Sequence, residues 1–339
     1  MTAPAFNRVE AELLNVIQSD FPLVATPFAD IGERLGISEA EVLERLSDLK
    51  DKNVIRQISA IFDTRKLGYK SSLVAMRFEE EDLDDQAQVV NEHPGVSHNY
   101  GRTGVYNLWF TIAVPPGVSL DEEVETLAKK TNALSWRMLP TRRFFKIGVN
   151  FDMVKKKSDA SDNYVADKGV KVPSPSGNHT NSANLVSDDD KAFIREFQVD
   201  LELTPRPFDG MAERLGIAVS DVFDVAARMQ EKKFMRRFSA VLHHRRAGFS
   251  ANAMVVWKVP EERGAEVGEI MAESSHVTHC YERPTYDDWS YSHYTMIHAT
   301  TPEECEAIVE QISAATQITE KQLVYSTREY KKTRVQYFV

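Results

Sequence analysis

The chain carries the same module twice, and this duplication limits the folds that it can adopt. The stretch "PFADIGERLGI" at 27–37 matches "PFDGMAERLGI" at 207–217, an offset of 180 residues. The offset is 181 at His98 and His279 and grows further, mainly through extra residues in "PTYDDWSYS" at 284–292. One duplication of this length predicts two copies of a single unit, and not a solenoid built from many short repeats.

Each copy begins with a helical pattern and then changes to strands. The first copy shows helical periodicity at 7–18, 28–35 and 39–52, with Gly36 ending the second helix and Ser38 capping the third. The alternation in "VIRQISAIFD" then indicates a strand, so three helices and a β-hairpin form a winged helix-turn-helix. The remainder reads β-α-β-β-α-β, which is the ferredoxin-like order. The predicted fold class is therefore α+β, a tandem duplication of this two-part unit.

A polar segment joins the two copies. Residues 155–184 are rich in serine, asparagine, aspartate and glycine and have no apolar period, which is typical of a tether. A tether of this length lets the two halves meet as an intramolecular pseudo-dimer. The predicted organisation is winged helix-turn-helix at 1–69, ferredoxin-like domain at 70–154, linker at 155–186, winged helix-turn-helix at 187–249 and ferredoxin-like domain at 250–339.

Composition excludes several classes of protein. The formal net charge is −10 and the pI is near 5.5, so the chain has no broad basic surface for nucleic acid. Cys280 and Cys305 provide neither a disulfide framework nor a cysteine-rich zinc site, which fits a reducing cytosol. No apolar run approaches the ~20 residues that span a bilayer, and the N-terminus lacks a signal-peptide layout. We expect a cytoplasmic protein with no membrane partner.

Two strands carry the same polar and aromatic triplet, one in each copy. In "SHNYGR" the alternation of a strand places His98, Tyr100 and Arg102 on one face, with Asn99 and Gly101 on the other. In "THCYER" the equivalent residues are His279, Tyr281 and Arg283. We call these sets the first and second triplet. A core histidine has no reason to recur inside an aromatic triplet at equivalent repeat positions, so the pattern favours a functional site.

Further cations and aromatic residues are candidates to border the same site. They lie on the following strands, in the wings and on the last strands: Tyr106, Trp109, Tyr286, His293, Arg56, Arg236, Arg237, His243, His244, Arg245, Arg142 and Arg328. For any single wing arginine, solvated surface is an equally good interpretation. His298 is interpreted as a core histidine.

The order of elements resembles the Lrp/AsnC family of transcription regulators. The motifs "HNYGR…YNLWFT" and "HCYERP…YSHYTM" are more specific and resemble the siroheme decarboxylases, in the fused two-module form used in heme d1 biosynthesis. The resemblance covers both halves apart from the linker and the extreme ends. It implies loss of CO₂ from the acetates on rings C and D of siroheme, giving 12,18-didecarboxysiroheme.

The resemblance also implies roles for the triplets. Siroheme is a flat ring with eight carboxylates, and arginine binds carboxylates bidentately while remaining charged. We expect the arginines to hold the retained carboxylates, and His98 or His279, with Tyr100 and Tyr281 as second candidates, to act as general acid. The second, histidine-rich half is the favoured catalytic contributor.

No glycine-rich phosphate loop and no metal-ligand spacing is present in the sequence. We therefore expect no cofactor beyond the iron-tetrapyrrole of the substrate and no metal site of the protein's own, with His98 or His279 as candidate ligand to the substrate's iron. The expected partners are siroheme and its decarboxylated product, and other proteins of heme d1 biosynthesis stay open as partners.

Two other functions stay open, a ligand-sensing regulator of the Lrp/AsnC type and a tetrapyrrole carrier without chemistry. The candidate recognition helix at 38–52 carries five acidic residues and three basic ones, and the equivalent helix of the second copy is neutral at best. Phosphate repels such a helix at close range, so we expect no nucleic-acid partner. The helix-turn-helix units are then interpreted as scaffold and dimerisation elements.

Overall fold

The computed structural model describes residues 6–147, 150–152, 157–159, 186–242, 251–299 and 301–339. The helices of these ranges are α1 Arg8–Ser19, α2 Pro27–Leu35, α3 Glu39–Asp51, α4 Leu83–Asn91, α5 Leu120–Lys130, α6 Asp188–Phe197, α7 Asp209–Leu215, α8 Val219–Glu231, α9 Gly264–Glu273 and α10 Pro302–Thr316. The strands are β1 Ile55–Phe62, β2 Lys70–Arg77, β3 Val96–Arg102, β4 Leu108–Val114, β5 Ser135–Leu139, β6 Arg143–Ile147, β7 Asn150–Asp152, β8 Lys157–Asp159, β9 Met235–Leu242, β10 Ala251–Trp257, β11 Val277–Glu282, β12 His293–Ala299 and β13 Lys321–Lys332. The predicted α+β duplication is confirmed.

Local sequence signals explain where the helices of the helix-turn-helix units begin and end. Gly36 and Gly216 follow α2 and α7 with φ of 68° and 65°, a left-handed conformation that glycine adopts without strain. The Ser38 hydroxyl accepts a hydrogen bond from the Glu41 backbone N–H at 3.2 Å and caps α3 as predicted. The two copies thus form the same tight turn, because the same residue type meets the same backbone requirement.

The first strand of each half pairs with its counterpart in the other half. β1 and β9 form an antiparallel two-stranded sheet, which we call the ribbon, with Ser59 opposite Ser239. These serines are 180 residues apart, so the pseudo-twofold axis of the duplication passes between them. The prediction of a hairpin wing is wrong for β1, since its partner is β9. The apolar face of the ribbon explains this pairing, because it completes one core with both sets of helices.

The last strands also connect the halves. The nine-stranded sheet has the order β5-β2-β4-β3-β13-β10-β12-β11-β6. β13 pairs with β10 through its first part and with β3 through its second part. In the first half the equivalent segment is divided, so that β5 pairs with β2 while β6 pairs with β11. Each half therefore adds a strand to the sheet of the other, β13 beside β3 and β6 beside β11, which leaves fewer open edges and makes the pair an intramolecular pseudo-dimer.

Helices cover one face of each half-sheet, and the uncovered faces meet across the axis. Packing against the helices produces a separate apolar core in each half. A further core, which we call the inner core, combines residues of both halves: Ala75, Tyr106, Trp109, Leu139, Met254, Val256, Trp289, Tyr294 and Val324. Two sheets that share a core in this way form a sandwich. No helix among the described residues is long and apolar enough to cross a bilayer.

The extra residues of the second copy form a contact between the halves. Asp288 accepts hydrogen bonds from Arg137 at 2.8 and 2.7 Å and from the Tyr106 hydroxyl at 2.7 Å. The Tyr286 hydroxyl donates to the Met138 carbonyl at 2.5 Å, and Arg137 lies over its ring. The long turn at 284–292 therefore closes one end of the sandwich.

Replacing Asp63 tests how much the contacts between the halves at the ribbon contribute to the stability of the protein. Its side chain is 1% exposed, pairs with Arg236 of the other half at 3.0 Å and accepts backbone N–H bonds from Arg65 and Lys66. We expect Asp63→Ala to lower the free energy of unfolding by about 3 kcal/mol, because it leaves buried donors without their acceptor. Urea unfolding provides the measurement. The control is Asp188→Ala, at the surface ion pair with Lys191, for which we expect a much smaller loss.

Candidate active site

Both triplets point away from the helices and into the sandwich. Asn99 donates to the Ala87 carbonyl of α4 at 3.0 Å, and Cys280 lies in the helix-side core, so these intervening residues face outward. His98, Tyr100 and Arg102 then face the inner core, as do His279, Tyr281 and Arg283. Tyr100 lies opposite Trp109 on β4, and Tyr281 opposite Tyr294 on β12. The triplets therefore border the aromatic inner core, on the faces that the alternation predicts.

A hydroxyl group orients each triplet histidine. Ser97 Oγ lies 3.0 Å from His98 Nδ1, and Thr278 Oγ1 lies 3.0 Å from His279 Nδ1. Thr278 Oγ1 also donates to the Met296 carbonyl at 3.4 Å. Because the Thr278 hydroxyl donates its hydrogen to the Met296 carbonyl, it accepts a hydrogen bond from Nδ1–H of His279. The lone pair of the neutral His279 ring is then on Nε2. Nε2 is then the atom available to bind a proton or a metal ion.

Burial and neighbouring cations keep both histidines uncharged. Burial, followed by the charges of Arg56 and Lys332, lowers the pKa of His98 to about 4. Burial, followed by His298 and His98, lowers the pKa of His279 to about 3. The effect of His98 on His279 shows that the two triplets approach each other across the axis. At neutral pH the site therefore has neutral imidazoles among permanent cations.

Arg102 and Arg283 are buried without a counter-ion. They are 8% and 9% exposed, and within the described part of the chain no carboxylate lies at ion-pair distance from either. Arg102 donates to the Val324 carbonyl at 3.1 Å, and Arg283 donates to the Leu139 carbonyl, in each case across to the other half. Both Nε–H groups are buried and lack an acceptor among the described residues. Burial lowers the pKa of Arg102 to about 10.

The arginines also lie over the aromatic rings of the triplets. The Arg102 guanidinium is 5.3 Å from the centre of the Tyr100 ring, and that of Arg283 is 4.8 Å from Tyr281 and 5.4 Å from Tyr294. Stacking of this kind holds a guanidinium in place and leaves its edge free for a carboxylate. The arrangement is nearly the same in both halves.

The ribbon brings further cations close to the triplets. Arg56 donates to the Lys332 carbonyl at 2.7 Å and acts on the pKa values of His98 and Tyr100. Arg236, the equivalent residue of β9, pairs with Asp63, and its charge acts to lower the pKa of Tyr281. The wing arginines at these two positions therefore lie over the sheet and are not solvated surface.

The two triplets differ in their neighbours. Tyr100 lies opposite Glu329, and burial together with this carboxylate raises the pKa of Tyr100 to about 12. Tyr281 instead lies opposite Phe144. His298 has no histidine counterpart in the first half, where the strand has Ala113. Because His298 follows Met296 on the inward face of β12, it lies beside His279 and belongs to the site, contrary to its interpretation as a core residue.

The other predicted aromatic residues and His293 differ in their positions. Tyr106 and Trp109 belong to the inner core that the triplets border, and Tyr286, which packs against that core, belongs to the turn at 284–292. His293 faces α9, where its Nε2 is 2.8 Å from the Gly264 carbonyl, because it occupies an outward position of β12. Arg328 is exposed and pairs with Asp84.

The remaining predicted cations have different outcomes. Arg142 is exposed between β5 and β6. Arg237 lies on the ribbon, where its charge lowers the pKa of Arg334. His243, His244 and Arg245 lie outside the described residues. Sequence reasoning missed Arg334, for which the only signal was a cation directly after the last strand.

The basic residues of the helix-turn-helix units are engaged with acidic neighbours. In α3, Arg45 pairs with Glu41 at 2.6 Å, and Lys50 pairs with Asp200 of the other half at 2.8 Å. At the end of α8, Arg228 and Lys232 both pair with the buried Asp190 at 3.2 Å. Cations neutralised in this way contribute little to phosphate binding.

Two sequence profiles match this chain, each of them twice. One is described as the AsnC-like ligand binding domain and matches residues 66–146 and 246–331. The other is described as the siroheme decarboxylase NirDL-like HTH domain and matches residues 10–56 and 190–236. The four matches together cover most of both halves.

Individual relatives agree with these profiles. The chain is 38% identical to the siroheme decarboxylase of Hydrogenobacter thermophilus over 96% of this chain and 94% of that protein. It is 47% identical to the siroheme decarboxylase beta subunit of Methanosarcina barkeri over 43% of this chain and 96% of that subunit. A crystal structure of the siroheme decarboxylase NirDL in co-complex with an iron-uroporphyrin III analogue has a TM-score of 0.72 and 32% identity, covering 98% of this chain and 95% of that one.

The low pKa values of the triplet histidines predict a pH-dependent stability. Between pH 6.5 and 5 the unfolded chain binds protons at His98 and His279 that the folded chain excludes, so stability falls as the pH falls. Between pH 6.5 and 5, the free energy of unfolding of the double variant His98→Gln, His279→Gln should fall less than that of the wild type, by about 2 kcal/mol for each histidine replaced. Urea unfolding at several pH values measures this. Parallel pH profiles for variant and wild type would contradict it.

Proposed function

This chain belongs to the siroheme decarboxylase family, and we propose that it removes CO₂ from the acetate side chains on rings C and D of siroheme to give 12,18-didecarboxysiroheme in heme d1 biosynthesis. It is thereby a carboxy-lyase. The observation that carries the proposal is the pair of buried arginines, Arg102 and Arg283, which face an aromatic interior from opposite halves without a counter-ion.

Uncompensated charge of this kind indicates an anionic ligand. A buried cation without a partner is costly, and an anion that binds beside it offsets the cost. The inner core supplies the flat apolar surface that a tetrapyrrole ring requires, and Arg56 and Arg236 add charge from the ribbon. The co-complex of the related NirDL with an iron-uroporphyrin analogue supports a ligand of this class.

The histidines gain a chemical role when such a ligand binds. Burial is the largest cause of the low pKa of His98, and the charges of Arg56 and Lys332 lower it further. Carboxylates that neutralise these two charges raise the pKa of His98 and favour its protonation. The protonated histidine then serves as general acid. The C–C bond of the acetate breaks, CO₂ leaves, and the remaining carbon receives the proton to become a methyl group.

The surroundings favour the loss of CO₂ from the reacting acetate. Aromatic side chains exclude water and favour the neutral product over the carboxylate, whereas acetates held by arginine keep their charge and do not react. Tyr100 and Tyr281 are second candidates for the proton donor. The reaction then needs no cofactor beyond the iron-tetrapyrrole of the substrate, and whichever of His98 and His279 is not the acid is the candidate ligand to its iron.

Histidine variants test the acid directly. We expect His98→Ala and His279→Ala each to slow the loss of CO₂ from siroheme by about 100-fold or more, with the double variant slower still. Anaerobic incubation followed by mass analysis of the pigment measures this. The control is His93→Ala, because His93 lies beside Glu123 away from the triplets. Wild-type rates in both single variants and in the double variant would rule out this role.

Arginine variants test ligand binding separately from turnover. We expect Arg102→Gln and Arg283→Gln to weaken the binding of iron-uroporphyrin III by at least about tenfold, since each removes a charge-assisted bond. Absorbance titration measures the affinity, and Arg214→Gln, at an exposed pair with Glu196, is the matched control. Binding by the wild type without loss of CO₂ from siroheme would identify a carrier instead of an enzyme.

A further inference from the structure

The C-terminal tail, residues 333–339, leaves the sheet after β13 and lies against the ribbon and the helix-turn-helix units. The Thr333 backbone N–H donates to the Ser97 carbonyl at 2.7 Å, directly before His98. The Tyr337 ring is buried in the core shared by the helix-turn-helix units, and its hydroxyl lies 2.7 Å from Thr64 Oγ1. The tail is therefore fixed on both sides of Arg334.

Arg334 extends to the centre of the ribbon. Its Nη1 donates to Ser59 Oγ at 2.8 Å and to the Ala60 carbonyl at 3.2 Å. Ser59 faces Ser239 on the pseudo-twofold axis. Both acceptors belong to β1, so the guanidinium lies beside the axis and is displaced from it towards the strand of the first half.

No counter-ion neutralises Arg334. Throughout the described ranges, no carboxylate lies at ion-pair distance from its guanidinium. Burial and the charge of Arg56, with a further effect of Arg237, lower its pKa to about 10, although Tyr337 and Asp200 act in the opposite direction. A half-buried guanidinium that has no ion-pair partner and lies near the cation of Arg56 is costly in the empty protein. A ligand with several carboxylates removes that cost.

Arg334 has no counterpart in the first half. The offset of 185 to 186 that relates the last strands places Gly148 or Val149 at the corresponding sequence position, and neither residue carries a charge. The two triplets and the arginines at 56 and 236 are duplicated. Arg334 is therefore a cation that distinguishes one half of the site from the other.

We propose that Arg334 binds a carboxylate of the tetrapyrrole and fixes the orientation of the ring, and so decides which acetates meet the histidines. The inference rests on the proposed function and goes beyond it. A duplicated set of cations alone accepts a polycarboxylate ring in more than one orientation, because both halves offer similar partners. One additional cation that lies off the axis, beside β1, interacts differently with the two orientations and so favours one of them.

The test compares Arg334→Gln and Arg334→Lys with wild type and with Arg195→Gln. Arg195 is exposed and donates to the Phe338 carbonyl of the same tail, so it controls for tail contacts. Binding of iron-uroporphyrin III is measured by absorbance, and the ratio of the two singly decarboxylated isomers of siroheme is measured by chromatography with mass detection. Thermal unfolding of the empty proteins is measured in parallel.

We expect Arg334→Gln to bind at least about tenfold more weakly and to change the isomer ratio. Arg334→Lys should bind about threefold more weakly, since lysine lacks the planar fork, and Arg195→Gln should match wild type. The unfolding midpoint of empty Arg334→Gln should not fall, because the variant removes an uncompensated charge. A purely structural role predicts a lower midpoint with unchanged affinity.

Wild-type affinity and isomer ratio in Arg334→Gln would overturn the inference. If that variant does not fold, Arg334→Lys decides, and its equality with wild type in affinity and isomer ratio would overturn the inference as well. Failure of the proposed function is distinguishable, because a wild-type protein that binds iron-uroporphyrin III but releases no CO₂ leaves the binding comparison intact.

Discussion

The pairing of β1 with β9 is the interaction on which the rest of the structure depends. Because each strand has its partner in the other half, neither half can complete its helix-turn-helix core alone. The exchange at β6 and β13 repeats this dependence at the sheet. Together the two exchanges place the ribbon over the triplets and fix the pseudo-twofold axis. The duplication thus brings the triplets of both halves to the same interface.

The buried cations near this axis lower the stability of the empty protein, although the proposed function requires them. The inner core and the cross-half hydrogen bonds stabilise the pair, while Arg102, Arg283 and Arg334 lie partly or fully buried without carboxylate partners. Proteins usually bury a cation only beside an anion. The molecule therefore retains an electrostatic cost when empty, and a polycarboxylate ring is the class of ligand that relieves it. Burial, together with the charges of Arg56 and Lys332 at His98, keeps the triplet histidines neutral in the empty protein.

The helix-turn-helix units help to assemble the two halves. Basic residues of α3 and at the end of α8 form ion pairs within the helix, with a neighbouring helix or with the other half, as Lys50 does with Asp200. The apolar faces of the units build the core that supports the ribbon. In this chain the units therefore position Arg56 and Arg236 over the sheet and assemble the halves. A likeness of fold to regulators does not transfer their function, because function depends on the charges displayed.

The sequence by itself determined the duplicated α+β architecture and the inward direction of the triplets, since both follow from local periodicity: the alternation of a strand assigned His98, Tyr100 and Arg102 to one face. Which faces meet was decided only by tertiary structure. The partner of β1, the outward position of His293, the place of His298 and the course of the tail at Arg334 all depend on contacts between residues far apart in sequence. Such contacts are set by the packing of whole faces and by strand exchange, and local patterns do not record them.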